Sequence, residues 1–146
     1  MSAQYLVCSL AVVAVSAARF SIASVFSNGM VLQRDAPVTI WGWGTPNTTV
    51  YGALLQTPNN TALWSSSMTD DTGLWRAQFP PQAYTPAWGP TFYQFYASTA
   101  PLSLPCITNT PAACNGTTAN LWQLLFGDVI LCSGQSNMQV GDILQS

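Results

Sequence analysis

The hexapeptide LWRAQF, residues 74–79, decides the fold class of this chain. Its apolar residues Trp75, Ala77 and Phe79 alternate with Arg76 and Gln78, and strict alternation is the pattern of a β-strand with one buried face. Turn-forming residues bound the run on both sides, with Asp-Thr-Gly before it and Pro-Pro after it. The sequence therefore predicts a strand here, with its tryptophan and phenylalanine in a hydrophobic core.

Similar runs recur on both sides at spacings of about 10 to 12 residues. They are short, rich in β-branched and aromatic residues, end at Gly, Pro or Asn, and lie near residues 30–32, 38–43, 48–55, 62–68, 91–97 and 120–126. The pattern predicts a mainly β chain in which residues 19–123 form an antiparallel β-sandwich or jelly-roll-like domain. We expect Trp41 or Trp43 to join Trp75 and Phe79 in its core.

The composition excludes several classes of function. Of 146 residues, 49% are hydrophobic and only 5% are charged, with three Arg, five Asp and no His. A nucleic-acid-binding surface needs clustered basic residues, which this chain lacks. Without histidine or a CxxC spacing there is no recognisable metal-ligand set, and we expect no cofactor. So little charge also favours a compartment outside the cytosol.

The N-terminus has the pattern of a secretory signal. An apolar run over residues 5–15 leads into the small residues Ser16, Ala17 and Ala18, which predicts a cleaved signal peptide over residues 1–18. A transmembrane anchor would need about 20 apolar residues, and Ser16 and Arg19 interrupt the run too early. The sequence thus predicts no membrane span and a secreted or lysosomal protein.

Two further features suit the secretory pathway. Three Asn-x-Ser/Thr glycosylation sequons occur in loop-like stretches, at Asn47, Asn59 and Asn115. Cys106 and Cys114 bound a short polar loop, and in an oxidising compartment we expect a disulfide between them. Cys132 lies in an apolar run, where a buried free thiol is expected.

Six tryptophans leave two interpretations open. Indole faces stack on sugar rings, but they also fill hydrophobic cores, and the residues concerned are Trp41, Trp43, Trp64, Trp75, Trp88 and Trp122. Alternation favours the core for Trp75. Trp88 lies in a Pro/Gly-rich loop, and for it both interpretations stand.

The pattern changes after residue 126. Val129 to Leu131 is continuously apolar, as in a strand covered on both faces of a parallel sheet, and it runs into Ser-Gly-Gln-Ser. Gly134 permits a tight turn, and Ser136 would then stand at a helix N-terminus, where a nucleophilic serine is well placed. The alternative is a structural Ser/Asn cap after a core strand.

Residues 126–138, FGDVILCSGQSNM, closely resemble the nucleophile block of the sialate O-acetylesterases, a branch of the SGNH-type hydrolases. Residues 20–34, residues 38–46 and Gly89-Pro90 are similar to the N-terminal β-domain of that family. The resemblance implies that residues 124–146 begin a truncated α/β SGNH-type esterase domain, with its first strand and nucleophile turn. Because the family's partner strands and helices are not in this sequence, we expect Val129 to Cys132 to be a poorly covered strand.

The same resemblance assigns roles to individual residues. It implies that Ser136 is the nucleophile and that its backbone N–H is an oxyanion donor. Gly134, Gln135 and Asn137 would be positioning residues. Asp128, at the start of the expected strand, is predicted to cap a helix or loop rather than to catalyse.

By resemblance, the function is removal of O-acetyl groups from sialic acids, with an O-acetylated sialic acid or a related acetylated glycan as substrate. A general base contributes about 10²- to 10⁴-fold to such catalysis. The family's acid–base histidine is absent from this sequence, so we expect a missing C-terminal hydrolase domain and an inactive chain. The competing hypothesis is a secreted, non-catalytic β-sandwich that binds a glycan or a protein through its aromatic residues.

Overall fold

The structure is a computed structural model that describes residues 19–109, 114 and 116–130. These residues form eight strands and one short helix: β1 Ser21–Ile22, β2 Val31–Gln33, β3 Val38–Trp43, β4 Thr49–Thr57, β5 Thr61–Met68, β6 Leu74–Phe79, β7 Phe92–Ser98, α1 Leu104–Asn109 and β8 Thr118–Gly127. The predicted mainly β class is confirmed. Strands β3 and β6 have the bounds that the alternation predicts, whereas β1 and α1 were not predicted.

The strands form two sheets. Strands β1, β3 and β6 make a three-stranded antiparallel sheet in the order β1-β3-β6. The other five make a sheet in the order β2-β8-β7-β4-β5, antiparallel except for the parallel pair β2 and β8. The last strand in sequence, β8, therefore lies between β2 and β7. The expected domain boundary between residues 123 and 124 falls inside this strand.

The facing sides of the two sheets share one hydrophobic core. Ile40 and Trp75 from the smaller sheet and Leu54 and Phe95 from the larger one are 0% exposed. The Trp75 indole stacks on the Phe95 ring with 6.3 Å between ring centroids, and on Phe20 with 5.7 Å. The strand that decides the fold class thus contributes the largest fully buried side chain of the core.

The expectation that Trp41 or Trp43 lies in this core is wrong. Strand β3 buries Val38 and Ile40, so the alternation of side chains places both tryptophans on the opposite face. Trp43 is 43% exposed, and Trp41 is half-buried against Phe26, with 6.2 Å between their ring centroids. Both faces of β3 carry apolar residues, so hydrophobicity alone does not indicate which face turns inward.

A second, smaller cluster covers part of the outer face of the five-stranded sheet. Cys106 and Ile107 of α1 are buried against Ala53, Leu55 and Tyr96. A disulfide joins Cys106 to Cys114, with 5.1 Å between their Cα atoms. The helix thus packs on the sheet, and the disulfide joins it to the connection that leads to β8.

Candidate active site

The residues expected to carry the chemistry lie outside the described part of the chain. They are Ser136, Gly134, Gln135 and Asn137. The signal peptide expected over residues 1–18, the sequon at Asn115 and Cys132 also lie outside it. The structure does describe the residues that lead to this segment, from Gly127 at the end of β8 to Ile130.

Hydrogen bonds join the start of the segment 127–130 to the end of strand β2. Gln33 pairs with Gly127 in the parallel register of β2 and β8. The Arg34 N–H donates to the Gly127 carbonyl at 2.9 Å, and the Val129 N–H donates to Gln33 Oε1, also at 2.9 Å. Residues 127–129 are thus held by two consecutive residues of the β2 end.

An ion pair adds to these contacts. Arg34 Nε donates to Asp128 Oδ1 at 2.9 Å, and Arg34 Nη2 donates to Asp128 Oδ2 at 3.3 Å, a two-pronged geometry that guanidinium and carboxylate groups favour. Arg34 Nη1 also bonds Asp35 Oδ2 at 2.9 Å. The hydrogen bond to Asp128, followed by the charges of Asp128 and Asp35, raises the pKa of the Arg34 guanidinium. The arginine therefore stays fully charged.

These contacts change the interpretation of Asp128. The residue follows strand β8 instead of starting a new strand, and its carboxylate is paired with Arg34 instead of capping backbone N–H groups. The sequence carries no local signal for this pairing, because the partners are 94 residues apart. The one available hint is that both residues belong to blocks that resemble the same family.

The apolar residues that follow Asp128 are exposed. Val129 and Ile130 are in no strand, and their side chains are 54% and 81% exposed. The prediction of a strand is therefore wrong for these two residues, but their exposure agrees with the expectation that this segment is poorly covered. The described part of the chain supplies no parallel strand or helix that packs over them.

The two sequons within the described residues are accessible. Asn47 is exposed in the turn between β3 and β4, and Asn59 is exposed in the turn between β4 and β5. Both positions are therefore sterically open to modification.

The described residues offer neither a metal-binding cluster nor a membrane-spanning helix. They contain no group of three or more His, Cys, Asp or Glu side chains arranged to hold a metal ion. Among them, no helix is both long and apolar enough to cross a membrane.

Comparisons with known proteins agree with the resemblance seen in the sequence motifs. No protein-family model matches the chain. Human sialate O-acetylesterase is 34% identical over 122 residues, which cover 83% of this chain and 20% of the human protein, and the mouse protein is 31% identical over the same shares. The crystal structure of a carbohydrate acetylesterase from Xanthomonas citri superposes with a TM-score of 0.44 and 24% identity, over 70% of this chain and 18% of the other.

The sequence relatives define the class of this chain, which is that of an esterase homologue. More narrowly, the chain belongs with the sialate O-acetylesterases, and the family resemblance predicted from its motifs is confirmed. It spans about a fifth of the length of these relatives, 20% in both the human and the mouse protein.

Proposed function

We propose that this chain is the part of a sialate O-acetylesterase-like serine esterase that carries the nucleophile, Ser136. Residues 19–127 would form a β-sandwich domain, and the residues after Gly127 would begin an α/β domain of the SGNH type. The observation that carries the proposal is the homology to sialate O-acetylesterases over 83% of the chain. The motif at residues 126–138 supports it, because its resemblance to the family's nucleophile block points to Ser136 as the nucleophile.

The proposed reaction is acetyl transfer. Ser136 Oγ attacks the acetyl carbonyl of an O-acetylated sialic acid, the acetyl group passes to the serine, and the sugar hydroxyl leaves with a proton. Water then releases acetate and regenerates the serine. The anchored stretch from Gly127 to Val129 supports this assignment, because it gives the segment that ends in Ser136 a defined starting point on the sandwich.

We propose further that this 146-residue chain does not catalyse the reaction alone. A serine hydroxyl needs a base to accept its proton, and the sequence contains no histidine. Aspartate at an ordinary pKa of about 3.9 is too weak a base for a serine at neutral pH. A base and further oxyanion donors would have to come from a second polypeptide region.

Activity measurements on two proteins test both proposals. The chain alone and a fusion in which the remaining region of human sialate O-acetylesterase follows residue 146 are assayed with an aryl acetate and with 9-O-acetylated sialic acid. We expect turnover by the fusion, abolition of that turnover by Ser136→Ala, and no turnover by the chain alone. Ser133→Ala is the matched control, because it removes a hydroxyl three residues away and should retain activity. Unchanged turnover in Ser136→Ala would refute the nucleophile assignment.

We also propose passage through the secretory pathway, with sugar attached at one or more of Asn47, Asn59 and Asn115. The exposed turns at Asn47 and Asn59 support this. Mass spectrometry of protein secreted by eukaryotic cells should find an N-terminus at Ala18 or Arg19 and a glycan on at least one of the three. An intact Met1 with three unmodified asparagines would contradict it.

A further inference from the structure

Strand β8 contains an irregularity that directs an indole to the outer face of the five-stranded sheet. Leu121 and Leu124 both belong to the core, although regular alternation puts residues three apart on opposite faces. The register to β7 shifts between them, and Gln123 has a φ of 57°. Trp122 and Gln123 therefore form a β-bulge, a feature that commonly re-aims a side chain next to a functional site.

The bulge holds Trp122 in a fixed position. The backbone N–H of Trp122 donates to Asn28 Oδ1 at 2.9 Å, and its backbone carbonyl accepts from the Gly29 N–H at 2.9 Å. Its indole meets the Tyr96 ring edge-on, with 5.8 Å between centroids and an interplanar angle of 76°. The side chain is nevertheless 37% exposed. An aromatic surface that is already ordered loses little conformational entropy when a ligand covers it.

A cleft of about 400 Å³ lies beside this indole. Strands β4 and β7, the turn between β4 and β5, and helix α1 surround it, and apolar Leu55 and Ile107 lie among its walls. Five polar side chains line it together with Trp122, namely Thr57, Asn60, Gln94, Tyr96 and Thr108. Its volume is within the range of small-ligand sites, about 300–1,000 Å³.

The polar groups of the cleft are hydroxyls and amides. The Tyr96 hydroxyl donates to Gln94 Oε1, so the Gln94 amide nitrogen keeps two N–H groups that can donate to a ligand. Burial raises the pKa of Tyr96, which keeps the phenol protonated at neutral pH. None of the lining residues is charged, so an anionic ligand would meet no counter-ion here.

We propose that this cleft is a binding site for a neutral pyranose ring. The apolar face of the sugar would stack on the Trp122 indole, and its hydroxyls would exchange hydrogen bonds with Gln94, Asn60 and Thr108. Such a ligand combines one apolar face with several uncharged donors and acceptors, which is the combination that the cleft offers. The site uses none of the residues on the route to Ser136, so the inference goes beyond the proposed esterase activity.

Two other exposed tryptophans provide internal controls. Trp88 is 93% exposed, so no neighbouring surface encloses a ligand against it. Trp64 is 49% exposed beside a different cleft, which Ser65 and Ser66 also line. Substitution of either tryptophan removes an exposed indole and leaves the Trp122 cleft intact.

The test is a binding titration of the full chain prepared without N-glycans, because the Asn59 sequon adjoins Asn60. Methyl β-galactoside, methyl β-N-acetylglucosaminide and N-acetylneuraminic acid are titrated separately and followed by saturation-transfer NMR. We expect saturable binding of at least one neutral pyranoside and weaker binding of N-acetylneuraminic acid. Trp122→Ala should weaken the neutral ligand about tenfold. Gln94→Ala should also weaken it, whereas Trp88→Ala and Trp64→Ala should not.

Several outcomes would overturn the proposal: no saturation by either neutral pyranoside, tighter binding of N-acetylneuraminic acid, or an affinity that Trp88→Ala lowers as much as Trp122→Ala does. Urea unfolding of each variant shows whether it is folded. If Trp122→Ala does not fold, Gln94→Ala and Trp122→Phe decide the matter. Trp122→Phe keeps an aromatic face and should retain most of the affinity, and Gln94→Ala should still reduce it. The readout is binding alone, so failure of this proposal is distinct from failure of the esterase proposal.

Discussion

Arg34 and Asp128 form a two-pronged ion pair that joins the end of β2 to the residue directly after β8. Their side chains are 39% and 65% exposed, so solvent weakens the attraction between the charges. The pair is accompanied by backbone contacts at Gly127 and Val129. It closes a loop of chain that contains strands β3 to β8.

We expect Arg34→Met and Asp128→Asn to lower the urea midpoint slightly and non-additively. Each change removes the same pair, so the double variant should be little less stable than the worse single variant. High salt should reduce the difference in urea midpoint between each variant and the unmodified chain, because it screens exposed charges. The matched control is Asp71→Asn at an exposed turn. Fully additive losses would show that the two side chains act independently.

The turn before β6 should make stability depend on pH. Asp70 Oδ1 accepts hydrogen bonds from the Thr72 hydroxyl at 2.6 Å and from the Thr72 and Leu74 N–H groups at 2.9 Å. The Thr72 hydroxyl, followed by the Leu74 amide, lowers the pKa of Asp70 below its ordinary 3.8. The folded chain therefore binds fewer protons at this group than the unfolded chain does. The contribution of the Asp70 carboxylate to stability is fully present above pH 3.8 and is lost as the pH falls through the folded-state pKa.

Asp70→Asn tests this dependence. The amide oxygen can still accept from the turn, but it does not titrate, so unfolding free energy measured below pH 3.8 should fall less steeply in the variant. Asp71→Asn, one residue away, is the control for the loss of one carboxylate from the same turn. An identical acid slope in the unmodified chain and in Asp70→Asn would contradict the prediction.

Trp75 should be the most sensitive position of the core. Trp75→Ala is expected to cost about 3–5 kcal/mol, as for other fully buried tryptophans. Trp75→Phe should cost less, because it fills part of the space and removes Nε1, which is buried without a hydrogen-bond partner among the described residues. The measurement is urea unfolding, with the 93% exposed Trp88 changed to Ala as the control, for which we expect a change within about 0.5 kcal/mol. Equal effects of Trp75→Ala and Trp88→Ala would exclude the packing described here.

The disulfide between Cys106 and Cys114 should stabilise the chain by about 2.5 kcal/mol, the chain-entropy value for a ring this short. Replacing both cysteines by Ala should lower the free energy of unfolding by that amount. A reducing agent should lower the Tm of the unmodified chain and leave that of the double variant unchanged. A Tm of the double variant that still falls on reduction would point to a different disulfide.

Alternation predicts those strands that bury one face along their whole length. It predicts the bounds of β3 and β6 for this reason. It places β2 only approximately, near residues 30–32, because this three-residue strand pairs in the described sheet with β8, far away in sequence. Helix α1 is not predicted from the sequence either. Its six residues are held by a disulfide and by the burial of Ile107, and they are too few to show a helical repeat of apolar residues.

The candidate sites also differ in how far the sequence predicts them. A serine that follows an apolar run and a glycine turn is a local pattern, so the sequence indicates Ser136. The Arg34–Asp128 pair and the cleft beside Trp122 are assembled from distant segments. The sequence around Trp122 has the pattern of a regular strand and does not indicate the bulge. The outward direction of the indole follows only from the structure, in which Leu121 and Leu124 both lie in the core.

The central position of β8 has a consequence for biosynthesis. This strand is made last of the eight, yet it supplies Leu121, Leu124 and Phe126 to the core and fills the place between β2 and β7. While the ribosome is still translating it, β2 has no strand to pair with and the larger sheet is left with an open edge and an unfilled interior. Completion of the sandwich therefore coincides with the emergence of Asp128 and the residues that lead to Ser136. A nascent chain stalled before residue 127 would leave the core face of the larger sheet without β8 and open to chaperones.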